Sequence, residues 1–129
     1  RTAYRCAALL YIVVLALLGI MMVTIGGTQR ATASAAVQGA RAYHAARSGI
    51  EWGAYRATEA SSCVASTAFP PVSGLDGFAI TVECISTAHR ERGDDYSVYV
   101  ITSAATFGNF GAADYVSRRI QVTVTDAPP

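Results

Sequence analysis

The chain has 129 residues, enough for one small domain and a long helix. A formal charge of +1 gives no footing for nucleic acid or for an acidic partner. All ten basic residues are arginine, and more than half of the chain is hydrophobic, at 52%, so the placement of the apolar residues carries more information than the charges do.

Residues 6–25 read CAALLYIVVLALLGIMMVTI, with no charge. At about 1.5 Å of rise per residue, a helix of this length matches the roughly 30 Å hydrocarbon core of a bilayer. The apolar body is carried by Leu9, Leu10, Ile12, Val13, Val14, Leu15, Leu17, Leu18, Ile20 and Val23, with Arg5 before the run and Arg30 after it. A soluble amphipathic helix would place polar residues on one face, and this run does not. The remaining chain is too small to wrap such a rod as a buried core helix. A cleaved secretory signal has a shorter apolar region, of about 7–15 residues, and is followed by a new domain. Here more helix follows, so the run is expected to be retained. Arg1 and Arg5 precede it without an acid, which places the short leading side in the cytoplasm and the rest of the chain outside the membrane.

Residues 26–60 contain no proline and are rich in alanine, the strongest helix former. Ala36, Ala40, Tyr43, Arg47, Ile50 and Ala54 recur at alternating steps of four and three, and a second line, Ala42, Ala45, Gly49 and Trp52, runs beside them. One helix is therefore expected from near the start of the chain to about Glu59, roughly 80 Å long. Gly26 and Gly27 are its weak point, since each glycine costs about 1 kcal/mol relative to alanine. They are expected to mark a helix break: a kink, a locally unwound segment, or a simple interruption at the membrane interface. Small residues recur around the outer helix, and they let helices approach closely. Ala36, Gly39, Ala40, Tyr43 and Gly49 are the expected packing positions of a rod with several neighbours, as opposed to a solitary stalk.

Residues 61–77 are rich in Ser, Thr, Pro and Gly and read as a loop. Residues 77–86, GFAITVECIS, alternate Phe78, Ile80, Val82 and Cys84 against Ala79, Thr81 and Glu83, the pattern of a half-buried strand. HRERGDD, residues 89–95, reads as a charged turn centred on Gly93. Residues 96–107 and 114–126 read as two further strands around a Gly-Asn-Phe-Gly turn. In the last, Ile120, Val122 and Val124 share a face with Arg118. Short connections favour an antiparallel meander. The outer half of the helix is the only large element available to cover one face of that sheet. The fold expected is α+β, with a long N-terminal helix over residues 1–60 and a sheet head over residues 61–129.

Three cysteines are present, and Cys6 lies in the apolar run. Outside the cytoplasm Cys63 and Cys84 are expected to form a disulfide, the alternative being two free buried thiols. A closed loop of about 20 residues is worth roughly 3 kcal/mol on the chain-entropy model.

No catalytic constellation is visible. His44 has no cysteine or carboxylate at ligand spacing, and His89 sits beside Glu91 in the charged turn. No serine lies in a G-x-S-x-G motif, and no lysine exists to complete a phosphate loop. Asp94 and Asp95 with Asp76 lack the alternating oxygen ligands of a calcium loop. No cofactor, metal or catalytic residue is expected.

A membrane-length helix continuing as an amphipathic helix, then a cysteine-bounded loop and a small antiparallel sheet, resembles a type IV pilin. The stretches VQGARAYHAARSGIEWGAYRA, GFAITVEC and DYVSRRIQVTV are similar to the pilin-like biogenesis proteins of the mannose-sensitive haemagglutinin (MSHA) pilus, of the MshP type. The resemblance implies a type IV pilin-like fold and a non-enzymatic structural subunit of a cell-surface filament. Its partners would be copies of itself, other pilins, the pilus assembly machinery and, before assembly, the bacterial inner membrane. It also implies a glutamate near the start of the apolar run, which pairs with a neighbour's amine. This chain has Arg5 there and no acid before Glu51. A type II secretion pseudopilin and a membrane-anchored periplasmic module that never polymerises are the two other expectations that the same elements allow.

Overall fold

A computed structural model describes residues 1–70 and 73–129 of the chain. It contains one helix, α1 (Thr2–Thr58), and four strands, β1 (Thr67–Phe69), β2 (Phe78–Glu91), β3 (Asp94–Phe107) and β4 (Val116–Thr125). The strands form a single antiparallel sheet in the order β1-β2-β3-β4, so the layout is α+β, as expected. The chain divides into two compact units, Arg1–Val37 and Gln38–Pro129. That boundary falls inside α1. From Gln38 onward the helix shares a core with the sheet.

In the first unit the helix runs on through Gly26 and Gly27, so the chain is not unwound there. Two glycines weaken a helix without removing any backbone donor. Thr24 Oγ1 donates to the Ile20 carbonyl at 2.9 Å, Thr28 to Thr24 at 3.0 Å, and Thr32 to Thr28 at 2.9 Å. Each hydroxyl is satisfied inside the helix.

The far end of α1 closes with a wide backbone turn that reaches back six residues. Ser61 adopts a left-handed φ of 51°, the conformation with which many helices end, and the Ser62 N–H returns to the Arg56 carbonyl at 2.8 Å. Arg56 also donates to Ser62 Oγ at 2.9 Å and lies over the Trp52 ring at 4.8 Å, which fixes the exit of the chain.

The core of the second unit is a helix–sheet interface built from small residues on one side and larger ones on the other. Ala42, Ala45, Ala46 and Ala57 are buried on α1 against Phe78, Ile80 and Val82 of β2 and Tyr99, Ile101 and Ala105 of β3. Gly39, Gly49 and Gly53 are buried on the same helix face. A β-carbon added at Gly53 would lie 2.8 Å from Ile101 Cγ2 and 2.9 Å from Val82 Cγ1, and one at Gly49 would run into Ser103 Oγ. The glycines are what let the helix backbone approach the sheet.

The β2–β3 turn and the segment before β2 differ from expectation, while β4 starts and ends within two residues of its expected bounds. β2 and β3 run on to Glu91 and Asp94, which leaves Arg92 and Gly93 alone as the turn. Both have positive φ, 53° and 96°, the signature of a tight two-residue hairpin whose twist matches its strands. The charged residues around that turn are strand residues. β1 lies inside the stretch expected to be loop, pairing Thr67, Ala68 and Phe69 with Val82, Thr81 and Ile80. Of the proline pair in that stretch, Pro71 lies outside the described residues.

Candidate functional site

No side-chain cluster dominates this molecule; its distinctive features are surfaces. In the first unit the apolar run is exposed throughout. Leu9, Leu10, Ile12, Val13, Val14, Leu15, Leu17, Leu18, Ile20 and Val23 all present more than half of their surface, from 51% at Leu15 to 77% at Val23. Monomeric soluble proteins rarely show contiguous apolar patches above a few hundred Å². This helix is long and apolar enough to cross a membrane. Cys6 is a free, exposed thiol within it.

In the second unit the two lines of small residues on α1 separate. Ala42, Ala45 and Gly49 dock on the sheet, joined by Gly53 and Ala57. Tyr43 and Arg47 of the other line stay exposed, as does Ala40. Arg47 pairs with Glu51 at 3.2 Å across one helical turn, and Tyr55 continues that outer face. The expected packing positions therefore divide. Gly39 and Gly49 face this chain's own sheet, with Arg118 Nη2 3.2 Å from where a Gly39 β-carbon would stand. Ala36, Ala40 and Tyr43 are open to a neighbour. Sequence spacing could not choose between the two lines, because both have helical periodicity. Gly53 was the usable signal: it extends Ala42, Ala45 and Gly49 by four residues, and glycine marks close backbone approach.

Arg118 explains the polar residue on the apolar face of β4. It lies at the end of the sheet, beside Gly39, where its guanidinium is exposed while Ile120, Val122 and Val124 pack inward. Arg41 donates to the Gly74 carbonyl at 3.1 Å and lies 5.8 Å from the centre of the Phe78 ring.

Cys63 and Cys84 are joined, with their Cα atoms 5.3 Å apart. The Cys84 N–H also donates to the Val64 carbonyl at 3.2 Å, so the bridge ties the segment after α1 to β2 by a covalent and a hydrogen-bonded link. Trp52 packs on Phe69 of β1, ring centres 5.3 Å apart, beside this link.

Among the described residues no three His, Cys, Asp or Glu side chains converge as a metal site. His44 lies edge-on to Tyr43, and His89 stacks on Tyr96 at 5.7 Å. A shallow depression of about 690 Å³ beside the Arg92–Gly93 turn is lined by Glu91, Arg92, Asp94, Tyr96 and the last residues of the chain, and it opens widely to solvent. In comparisons with protein-family models, with curated proteins and with solved structures, the chain matches none.

Proposed function

We propose that the chain is a structural subunit of a bacterial type IV pilus-like filament at the cell surface, acting by polymerisation and not by catalysis. The observation that carries this reading is the use of one helix for two purposes. Its outer half is glued to a sheet by alanine and glycine, while its first half leaves an apolar run exposed on every side. Such a surface requires an apolar environment. Lipid satisfies it before assembly, and the helices of other subunits satisfy it after extraction, because both solvents reward the same residues. The sheet head, stapled by Cys63–Cys84, is the part that remains in water and makes lateral contacts with other pilins. The membrane, the assembly machinery and further copies are the partners on this reading.

The test is direct. Filaments sheared from cells expressing the chain should contain it, and deletion of residues 6–25 should abolish its release into the sheared fraction. Recovery of the chain only in membranes, under conditions where other filaments are sheared normally, would favour the anchored module that never polymerises. Recovery in a periplasmic secretion assembly would favour the pseudopilin.

A further inference from the structure

The sheet of the second unit has two open edges, and they fit each other. β1 covers β2 only at Ile80, Thr81 and Val82, and Val64 takes the N–H of Cys84. Beyond that point β2 runs on to Glu91 with no strand beside it among the described residues. Because the Cys84 N–H points away from β3, the other even-numbered residues, Ser86, Ala88 and Arg90, direct their N–H and C=O groups to the open side. On the opposite edge the Asp126 N–H bonds to the Ser97 carbonyl. Even-numbered residues of β4 therefore face β3, and Ser117, Arg119, Gln121 and Thr123 face outward.

Edges of this length are normally blunted by proline, by charged side chains, by an inward-pointing charge or by a bulge. β4 contains no proline and no bulge, its register with β3 is unbroken from Val116 to Thr125, and its two charges, Arg118 and Arg119, are confined to its first half, which leaves Ile120–Thr125 uncharged. The open stretch of β2 is likewise regular, with every residue from Ile85 to Glu91 paired in sequence to β3.

We infer that these edges pair with one another between copies of the chain, β4 of one subunit adding in parallel to β2 of the next. Three features select this arrangement. β2 and β4 are both antiparallel to β3, so copies in the same orientation bring them together as parallel strands. In a parallel ladder an outward-directed residue sits beside one whose two neighbours are directed toward it. That places odd residues of β4 beside odd residues of β2, and in both strands the odd residues lie on the face away from α1. The continued sheet therefore keeps every helix on the same side. An antiparallel addition would set odd residues against even ones and put the neighbour's helix on the opposite face.

Sterics set the register. Val64 and β1 block the edge up to Cys84, so β4 fits with Ser117 beside Ile85, Arg119 beside Thr87, Gln121 beside His89 and Thr123 beside Glu91. Within one subunit Arg119 is level with Ala104 and Thr81. Successive copies would then be offset by about six residues, roughly 20 Å along the strands. The contact is head-to-tail and non-closing, the kind that generates an open filament. It rests on the filament reading for its biological setting, but its chemistry is the backbone of the sheet and not the apolar helix.

The experiment uses the full chain in a Cys6→Ala background. Arg119→Cys with Thr87→Cys should give a ladder of intermolecular disulfides on mild oxidation. Arg119→Cys with Ala88→Cys, whose side chains lie on opposite faces, should not. Gln121→Pro removes an outward N–H without touching the ladder to β3, and it should reduce cross-linking by tenfold or more. Retention of Cys63–Cys84 in peptide maps checks that each variant is folded. Filaments that form normally without the ladder, or with an equal ladder from the mismatched pair, would overturn edge pairing and leave the filament reading intact. A ladder in membranes without any filaments would support edge pairing and overturn the filament reading. Neither ladder nor filaments would overturn both.

Discussion

Glycines on α1 are not equivalent, although their sequence surroundings look alike. Gly53 is held between Ile101 and Val82, where an added β-carbon would approach 2.8 Å and 2.9 Å from atoms of the sheet. Gly39 meets only the movable end of Arg118, at 3.2 Å. Gly53→Ala should therefore destabilise the second unit by about 1–3 kcal/mol through overpacking. Gly39→Ala should be neutral or stabilising by up to about 1 kcal/mol, because alanine is the better helix former and the guanidinium can shift. Thermal unfolding followed by near-ultraviolet circular dichroism distinguishes the two; equal melting temperatures would contradict the close approach at Gly53. The Arg92–Gly93 turn allows a gain in the opposite sense. Arg92 holds a φ of 53°, a region that asparagine tolerates far better. Arg92→Asn should stabilise the hairpin by a few tenths to about 1 kcal/mol, read as a higher urea midpoint at unchanged slope.

At the scale of elements, periodicity gave a clear signal wherever one face was buried. Phe78, Ile80 and Val82 alternate with Ala79, Thr81 and Glu83 in the sequence, and they alternate between buried and exposed in β2. β1 was not legible, because three residues carry too little alternation to stand out from the Ser/Thr-rich segment around them. It forms because Phe69 packs on Trp52 and because β2 offers an edge to pair with. The ends of β2 and β3 were hidden by composition: His89, Arg90, Asp94 and Asp95 look like a loop, yet a two-residue turn makes them strand. The bridge between Cys63 and Cys84 anchors β1 on both sides, closing a sequence separation of 21 residues. Replacing both cysteines by serine should cost about 3 kcal/mol, on the order of 10–20 °C in melting temperature for a unit of this size. A melting temperature unchanged by the double substitution, in protein shown to be oxidised before the change, would mean that the segment after α1 is held by hydrogen bonds alone.

Over the whole molecule, the α+β layout and the membrane-length run were legible from residue pattern, because each rests on a long uninterrupted signal. The division of α1 between two compact units was not, since no sequence period marks where a helix begins to dock on a sheet. The boundary between the two units falls between Val37 and Gln38. A depth-dependent substitution tests what surrounds the apolar run. Leu15 lies near the middle of the apolar run, is 51% exposed and belongs to no part of the hydrophobic core. Leu15→Asp should therefore leave the second unit folded. If lipid surrounds the run, an acid at its centre costs about 2.5–3.5 kcal/mol of insertion free energy, and the cost falls toward the ends of a span. Thr24→Asp, at the end of the run, should accordingly remain in the membrane pellet after alkaline extraction, while Leu15→Asp moves substantially to the supernatant or is degraded. A wild-type chain that is itself fully extracted by alkali would remove the membrane-spanning reading. Equal behaviour of the two aspartate variants would contradict a bilayer around the run, because a bilayer penalises an acid at its middle more than one at its end.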